Sequence, residues 1–282
     1  MKNNNMMEKN INFNELSELT DNFSGSEIEA VVKNAASRSL HEQLSSFKED
    51  IKDADIIVTM NHFINAIEEI MPLFGNGNKE IKKLLPNKII TVTESHKFCE
   101  YNCIEYIKKN KRLKTLMIYG ENGTGKTTML AKIATESKIK YIKMIKAIDL
   151  ISMDEFAKSK YIIDIITNAY LSKDSLILID DIEITINYAN LGNNILFSNK
   201  LYQTLLTIFK TVPSNPQNSI NIIISCSNSY LVKILRSYFD FTFELNLLDK
   251  KEIHNILTLL NNPTYQIQED KLSIKELLNN IN

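Results

Sequence analysis

A glycine-rich stretch that ends in a lysine and a threonine contains the residue types that most directly indicate chemistry. It fits the pattern G-x-x-x-x-G-K-[ST], in which glycines let the backbone approach an anion and backbone N–H groups face it. The residues are Gly120, Glu121, Asn122, Gly123, Thr124, Gly125, Lys126 and Thr127, followed by Thr128. We predict that this loop binds the phosphates of ATP. Lys126 would reach the β- and γ-phosphates, and the Thr127 hydroxyl would complete a Mg²⁺ shell.

A run of apolar residues at 176–179 leads into the acidic stretch Asp180-Asp181-Ile182-Glu183. Such a run is typical of a buried parallel strand, and ligands bind beyond the carboxyl ends of these strands. We therefore predict that Asp180 holds Mg²⁺ through water. Asp181 stands where many such ATPases carry a glutamate that polarises the attacking water. Because Asp181 is one methylene shorter, we expect turnover to be slower by about 10²-fold.

Apolar runs and helical patterns alternate along the middle of the chain. Five runs read as strands, at 115–119, 141–145, 176–179, 220–225 and 241–245. Helical periodicity separates them, most clearly at 156–170 and 197–209. This alternation predicts an α/β fold with a doubly wound, five-stranded parallel sheet, of the P-loop NTPase class.

Turn signals and periodicity divide the 282 residues into four segments. We predict a polar leader at 1–18, a helical unit at 19–85, an α/β core at 86–246 and a C-terminal helical unit at 247–282. Within the helical unit, Ser24 and Glu27 have the spacing of a capping box at a helix start. The two small helical units are expected to flank the core.

Composition and charge exclude several classes of protein. The net charge of −1 argues against a chain built to coat nucleic acid or an acidic membrane. No apolar run reaches the length of a membrane span, so membrane insertion is not expected. Cys99, Cys103 and Cys226 lack metal-site spacing and are predicted to be reduced thiols of a cytoplasmic protein. Cys99 and Cys103 would share the apolar face of one helix.

These residues resemble the C-terminal part of the N-ethylmaleimide-sensitive fusion proteins, a family of double-ring AAA+ ATPases. The Asp-Asp-Ile-Glu form at 180–183 and the Phe-Ser-Asn helix start at 197–199 are fairly specific to that family. Residues 22–29 resemble the lid helix of the first ATPase domain, and residues 72–75 resemble the link to the second domain. Residues 120–127 and 274–278 resemble the phosphate loop and the lid helix of the second domain.

The resemblance implies a particular role. In that family the second ATPase domain mainly binds ATP and holds six subunits together, while the first supplies most of the force that separates SNARE complexes, with SNAP adaptors as intermediaries. It implies a cytoplasmic protein that associates peripherally with vesicle or Golgi membranes through partners. The family's adaptor-binding domain and first nucleotide-binding core have no counterpart here. This is expected of a truncated product or of a reduced relative, and a lid without its own ATPase core favours the truncated product.

The resemblance also suggests roles for three further residues. Ser225, or Ser227 in its place, would serve at the end of the fourth strand, where hydrolysing AAA+ enzymes present a polar side chain toward the γ-phosphate. Arg236 loosely matches the position of an arginine finger, which acts on the phosphate of a neighbouring subunit. Lys275 lies near the start of the lid helix, where the family contributes a basic group to the phosphates. The pore-loop stretch, 150–155, has no aromatic residue before Phe156, so a grip on substrate is not expected there.

Three interpretations of the function remain open at this stage. The first is an ATP-dependent hexamerisation module of a SNARE-disassembly machine with slow hydrolysis. The second is an actively hydrolysing AAA+ motor that remodels proteins, for which Asp181, the strand-end serines and Arg236 would have to suffice. The third is a DNA-linked AAA+ protein of the replication type, which the charge and the lack of a basic recognition helix disfavour.

Overall fold

The computed structural model describes residues 7–8, 10–20, 23–45, 57–70, 81, 83–85, 93–192, 194–259 and 271–281. The chain divides into two compact units, Met1–Asn76 and Gly77–Asn282. The predicted link at 72–75 and the predicted boundary residue Pro86 lie outside the described residues. Within the described ranges, the helices are all too short or too polar to cross a membrane.

The first unit is helical, as the sequence predicts. Its helices are α1 (Phe13–Leu19), α2 (Gly25–Ser45) and α3 (Met60–Glu69). The capping box at the start of α2 is confirmed, because Ser24 N donates to Glu27 Oε2 at 2.6 Å and Glu27 N donates to Ser24 Oγ at 3.3 Å. The apolar faces of α2 and α3 pack together through Val31, Ala35, Phe63 and Ala66.

The polar leader predicted at 1–18 needs correction. Residues 13–18 are part of α1, which the Asn12 side chain caps by accepting hydrogen bonds from two backbone N–H groups. Ile11 is buried in the same apolar cluster as Val31 and Phe63. The apolar residues of this stretch, Ile11, Phe13, Leu16 and Leu19, span fewer residues than the roughly 11 to 18 over which helical periodicity is judged, so the sequence pattern did not reveal this packing.

The second unit is built on a five-stranded, fully parallel sheet. Its strands are β1 (Leu113–Gly120), β2 (Tyr141–Ile145), β3 (Asp174–Ile179), β6 (Ser219–Cys226) and β7 (Phe241–Leu245). Their order in the sheet is β2-β3-β6-β1-β7, and the central strands are apolar on both faces because helices cover both sides. The predicted parallel sheet and its five strands are confirmed, with ends that differ by up to two residues.

Helices precede, follow or connect these strands. They are α4 (Glu94–Ile107), α5 (Lys126–Glu136), α6 (Ala147–Leu150), α7 (Glu155–Leu171), α8 (Ile182–Thr185), α9 (Asn199–Ile208), α10 (Ser229–Leu235), α11 (Lys250–Leu259) and α12 (Ile274–Ile281). Cys99 and Cys103 share the buried face of α4, as predicted.

Ile81 is buried in the same core cluster as Cys99 and Cys103. Residue 81 therefore packs with the second unit, which corrects the boundary predicted at 85/86.

Two small antiparallel sheets were not predicted. The hairpin of β4 (Ala189–Leu191) and β5 (Asn194–Leu196) follows α8, and β8 (Leu248–Asp249) pairs with β9 (Lys271–Leu272). Leu272 belongs to β9, and α12 begins at Ile274, where the resemblance places the lid helix of the second domain. Strands of two or three residues are too short for periodicity to reveal them.

Candidate functional site

The glycine-rich loop joins the end of β1 to the start of α5, the strand–loop–helix context that its pattern requires. Gly123 and Gly125 have φ of +83° and +90°, so the backbone there is left-handed. Gly120 is required because of a close contact, since a Cβ at that position would lie 2.3 Å from the Leu245 carbonyl oxygen. The loop thus leads the chain into the N-terminus of α5, where backbone N–H groups attract anions.

Lys126 lies inside this loop and is 6% exposed. Its Nζ donates to the carbonyl oxygens of Gly120 at 3.0 Å and Glu121 at 2.8 Å. Burial lowers the pKa of Lys126, and the nearby carboxylates of Asp181, Glu183 and Asp180 oppose that shift. A phosphate entering the loop would compete with the two carbonyl groups for the ammonium group.

Asp180 accepts hydrogen bonds from two hydroxyl groups on different elements. Thr127 Oγ1 lies 2.9 Å from Asp180 Oδ2, and Ser225 Oγ lies 2.6 Å from Asp180 Oδ1. The loop, β3 and β6 therefore meet at one carboxylate that is 8% exposed. The oxygen atoms of Thr127 and Asp180 are hard ligands of the kind Mg²⁺ prefers.

Asp181 follows directly and is the N-cap of α8, with φ of +52°. Its backbone N–H donates to Ser225 Oγ at 2.7 Å. Burial, together with the neighbouring carboxylates of Asp180 and Glu183, raises the pKa of Asp181 to about 6. A carboxylate whose pKa lies close to neutral is suited to accept a proton from a water molecule.

Ser225 lies at the site as the sequence predicts, but its hydroxyl is already engaged. It is fully buried, donates to Asp180 and accepts from the Asp181 backbone. In this arrangement Ser225 fixes the positions of the two acids relative to each other. Its contact with the γ-phosphate stays a prediction.

Glu183 belongs to this site but was not among the predicted site residues. Its Oε1 accepts the Ser227 backbone N–H at 2.9 Å, while its Oε2 is buried and has no hydrogen-bond partner among the described residues. Burial and the Glu183 carboxylate together raise the pKa of the adjacent Cys226 thiol to about 12. The acidic stretch after β3 was the signal that contained Glu183, since it is the third acid of that motif.

The start of α12 lies against the phosphate loop. The Lys275 backbone N–H donates to the Gly123 carbonyl oxygen at 3.2 Å. A Cβ on Gly123 would lie 2.8 Å from Ser273 Oγ. The Lys275 backbone is therefore next to the loop and its side chain is exposed, while its contact with a phosphate stays a prediction. Ser273 was missed, although Ser273 and Glu276 form a capping box that marks this helix start.

Arg236 does not share in these contacts. It opens the 3-10 turn Arg236–Tyr238 after α10 and is exposed. Within the described part of the chain, no hydrogen bond or ion pair links it to the phosphate loop or to the acids. Its predicted role concerns a neighbouring subunit and stays a prediction.

A bound metal ion would need ligands beyond the protein's own side chains. Among the described residues there is no group of three or more His, Cys, Asp or Glu side chains able to hold a metal. Thr127 and Asp180 offer two oxygen ligands side by side, in front of a loop that attracts phosphate. This set fits Mg²⁺ bound together with phosphate oxygens and water, which is how the ion usually binds.

Comparisons with known proteins agree with this geometry. Residues 116–247 match the ATPase family associated with various cellular activities (AAA), and residues 10–63 match the AAA+ lid domain. Curated relatives include a vesicle-fusing ATPase of Arabidopsis thaliana, 30% identical over 93% of this chain and 36% of the relative. The vesicular-fusion protein SEC18 of Saccharomyces cerevisiae is 31% identical over 91% of this chain and 35% of the relative. The chain thus spans about a third of the length of the curated relatives it matches.

Proposed function

This chain belongs to the AAA ATPase family and resembles the C-terminal part of vesicle-fusing ATPases, and on that premise we propose that it binds ATP with Mg²⁺ and uses the nucleotide to assemble into a hexamer. One observation carries the proposal: α12 contacts the phosphate loop directly, through Lys275 and Gly123. Binding of a phosphate to the loop would therefore affect the position of α12.

We infer the following roles at the site. The loop backbone and the Lys126 ammonium group bind the phosphates, and Thr127 and Asp180 hold Mg²⁺. When bound, Mg²⁺ neutralises phosphate charge. Lys275 lies in the first turn of α12, where its backbone N–H contacts the loop, and we assign its exposed side chain to the terminal phosphate. ATP rather than ADP would then draw α12 onto the loop.

Slow hydrolysis is the second part of the proposal. Asp181 is the acid we assign to the attacking water, and its reach is shorter than that of glutamate. Ser225 is hydrogen-bonded to Asp180 and Asp181, so it has less freedom to contact a phosphate. Arg236, exposed on its turn, would act as a finger only on a neighbouring subunit. Each feature supports an enzyme that binds ATP and hydrolyses it slowly.

The names of the relatives indicate vesicle fusion as the cellular context, and the family resemblance suggests the partners and the location. A vesicle-fusing ATPase that contained this module would be a cytoplasmic protein acting on SNARE complexes through SNAP adaptors, at vesicle or Golgi membranes. Neither nucleic acid nor membrane insertion is required. These partners belong to a protein about three times as long as the chain described.

One observation favours a second candidate, an actively hydrolysing AAA+ motor that grips protein. The segment after β2 carries three apolar side chains that are largely exposed, Ile148 at 69%, Ile151 at 74% and Phe156 at 73%. Apolar side chains in such a position could contact a substrate chain. Substituting Ile151 with Ser should lower substrate-stimulated hydrolysis in a motor and leave an assembly module unaffected.

The solution mass, measured by light scattering with and without Mg-ATP, tests the assembly proposal. We expect Mg-ATP to shift the wild type toward a hexamer and to leave Lys126→Ala small. Lys160→Ala, which removes an exposed lysine of α7 away from the loop, is the matched control and should assemble like the wild type. A wild type that binds Mg-ATP and remains monomeric would refute the assembly role.

A further inference from the structure

A buried histidine lies directly against the phosphate loop. His96 is in the first turn of α4 and is 1% exposed. Its Nε2 lies 2.9 Å from the carbonyl oxygen of Thr124, and its Nδ1 lies 2.5 Å from Thr93 Oγ1. The ring therefore bridges the N-cap of α4 and the middle of the loop, and His96 and Thr124 are 28 positions apart in the chain.

The partners of His96 determine where its hydrogen lies. A carbonyl oxygen can only accept, so Nε2 carries the hydrogen and donates it to Thr124. Nδ1 is then an acceptor and receives the Thr93 hydroxyl. Both ring nitrogens are satisfied in the neutral form, and burial lowers the pKa of His96, which favours that form. The ring is thus a fixed, uncharged connector.

The carbonyl that His96 binds belongs to the peptide group joining Thr124 to Gly125. In a trans peptide the C=O and the N–H point to opposite sides. With the Thr124 carbonyl held on the His96 side, the Gly125 N–H points away from it. If this peptide turned over, a carbonyl oxygen would replace an N–H donor in a loop meant for an anion. Gly125 makes such a turn feasible, because glycine adopts both left-handed and right-handed backbone conformations.

We propose that His96 is a positioning residue for the phosphate loop, holding the 124–125 peptide in its anion-binding orientation and coupling the first turn of α4 to occupancy of the loop. This inference rests on the proposed binding of ATP. Coupling between two sites is reciprocal. If His96 stabilises the loop that binds nucleotide, bound nucleotide must stabilise the start of α4.

Two substitutions separate the hydrogen bond from simple packing. His96→Leu removes the donor, whereas His96→Gln keeps a side-chain N–H at similar reach. We expect His96→Leu to weaken Mg-ATP binding by about tenfold, because only a fraction of the free loops would then hold the 124–125 peptide in the orientation that binds phosphate. His96→Gln should stay within about threefold of the wild type. The measurement is calorimetric titration with Mg-ATP, on full chains whose folding is checked by circular dichroism.

Hydrogen exchange gives a second readout that a purely structural role would not produce. The Lys97 backbone N–H bonds to the Thr93 carbonyl at 3.1 Å in the first turn of α4. Mg-ATP should slow exchange there in the wild type and in His96→Gln, but not in His96→Leu.

The outcomes distinguish the two proposals. If the wild type binds no Mg-ATP, the proposed function fails. If the wild type binds it and a folded His96→Leu binds equally tightly, the function stands and the role of His96 is refuted. Should His96→Leu not fold, the wild-type exchange experiment decides, because unchanged exchange at Lys97 on Mg-ATP binding would refute the coupling.

Discussion

Ser225 Oγ lies 2.6 Å from Asp180 Oδ1, so the central strand β6 supports the acid that ends β3. The same hydroxyl accepts the Asp181 backbone N–H at 2.7 Å. One small side chain therefore sets the relative positions of the proposed metal ligand and the proposed catalytic acid.

Replacing Ser225 with Ala should affect both acids. The buried Asp180 carboxylate would lose a donor and the partly buried Asp181 N–H would lose its acceptor, which together cost about 1–3 kcal/mol in the free energy of unfolding. We also expect ATP turnover to fall by about tenfold as Asp181 loses its support. Ser219→Ala is the matched control, since Ser219 donates a 2.6 Å hydrogen bond to Asp174 at the other end of β6. Equal turnover in the two variants would contradict a positioning role for Ser225.

Lengthening Asp181 tests whether its short side chain limits hydrolysis. Asp181→Glu should raise the rate of phosphate release by about tenfold or more, because the carboxylate would reach the water position. Asp181→Asn should abolish turnover while leaving Mg-ATP binding intact. If all three proteins hydrolyse ATP at the same rate, another group activates the water, and Glu183 would be the next acid to test.

Gly123 should be intolerant of a side chain for two separable reasons. Its left-handed φ of +83° costs alanine about 1 kcal/mol, and a Cβ there would approach Ser273 Oγ to 2.8 Å. Gly192 is also left-handed, with φ of +72°, but a Cβ there meets nothing within 4 Å. We expect Gly123→Ala to lose more thermal stability than Gly192→Ala and to weaken Mg-ATP binding. Equal losses would mean that contact with α12 does not matter.

Asp240 gives a prediction for acid stability. Burial alone would raise its pKa, but hydrogen bonds from Lys111 and from the Thr115 backbone N–H outweigh burial, so the pKa is lowered. A lowered folded-state pKa contributes stability above the unfolded-state pKa of about 3.9, and that contribution is lost as the pH falls through the folded value. Asp240→Asn should therefore cost about 1–2 kcal/mol at pH 7 and progressively less below about pH 4. Urea unfolding of both proteins across this pH range measures the difference in the free energy of unfolding. A difference that does not change with pH would contradict the lowered pKa of Asp240.

The parallel sheet could be predicted because the information was local. Apolar runs, the glycine-rich loop and the acids after β3 each follow a short pattern, and parallel strands bring their carboxyl ends to one edge of the sheet. The contact between Thr127 and Asp180 follows from that rule. The same rule would have predicted Glu183 as a site residue, because it belongs to the same acidic stretch.

His96 and Ser273 could not be predicted in the same way. Each contacts the loop only because its helix, α4 or α12, starts beside it, and no spacing in the sequence encodes that placement. Ile11 and Ile81 illustrate the same limit for packing, since each belongs to an apolar pattern that is too short for its periodicity to show which unit will bury it. The extent of the leader and the boundary near 85/86 were wrong for this reason.

The strand order also determines when the site can exist during folding. β1 has β6 and β7 as its neighbours, and both follow it by roughly a hundred residues of intervening chain. Contacts over such separations form late, because the entropy of closing long loops must be overcome first. A ligand that needs the loop, the acids and α12 together can bind only the completed fold. Excess nucleotide at a hundred times its Kd would then stabilise the folded unit by about 2.7 kcal/mol, so the nucleotide would protect this unit against unfolding and proteolysis.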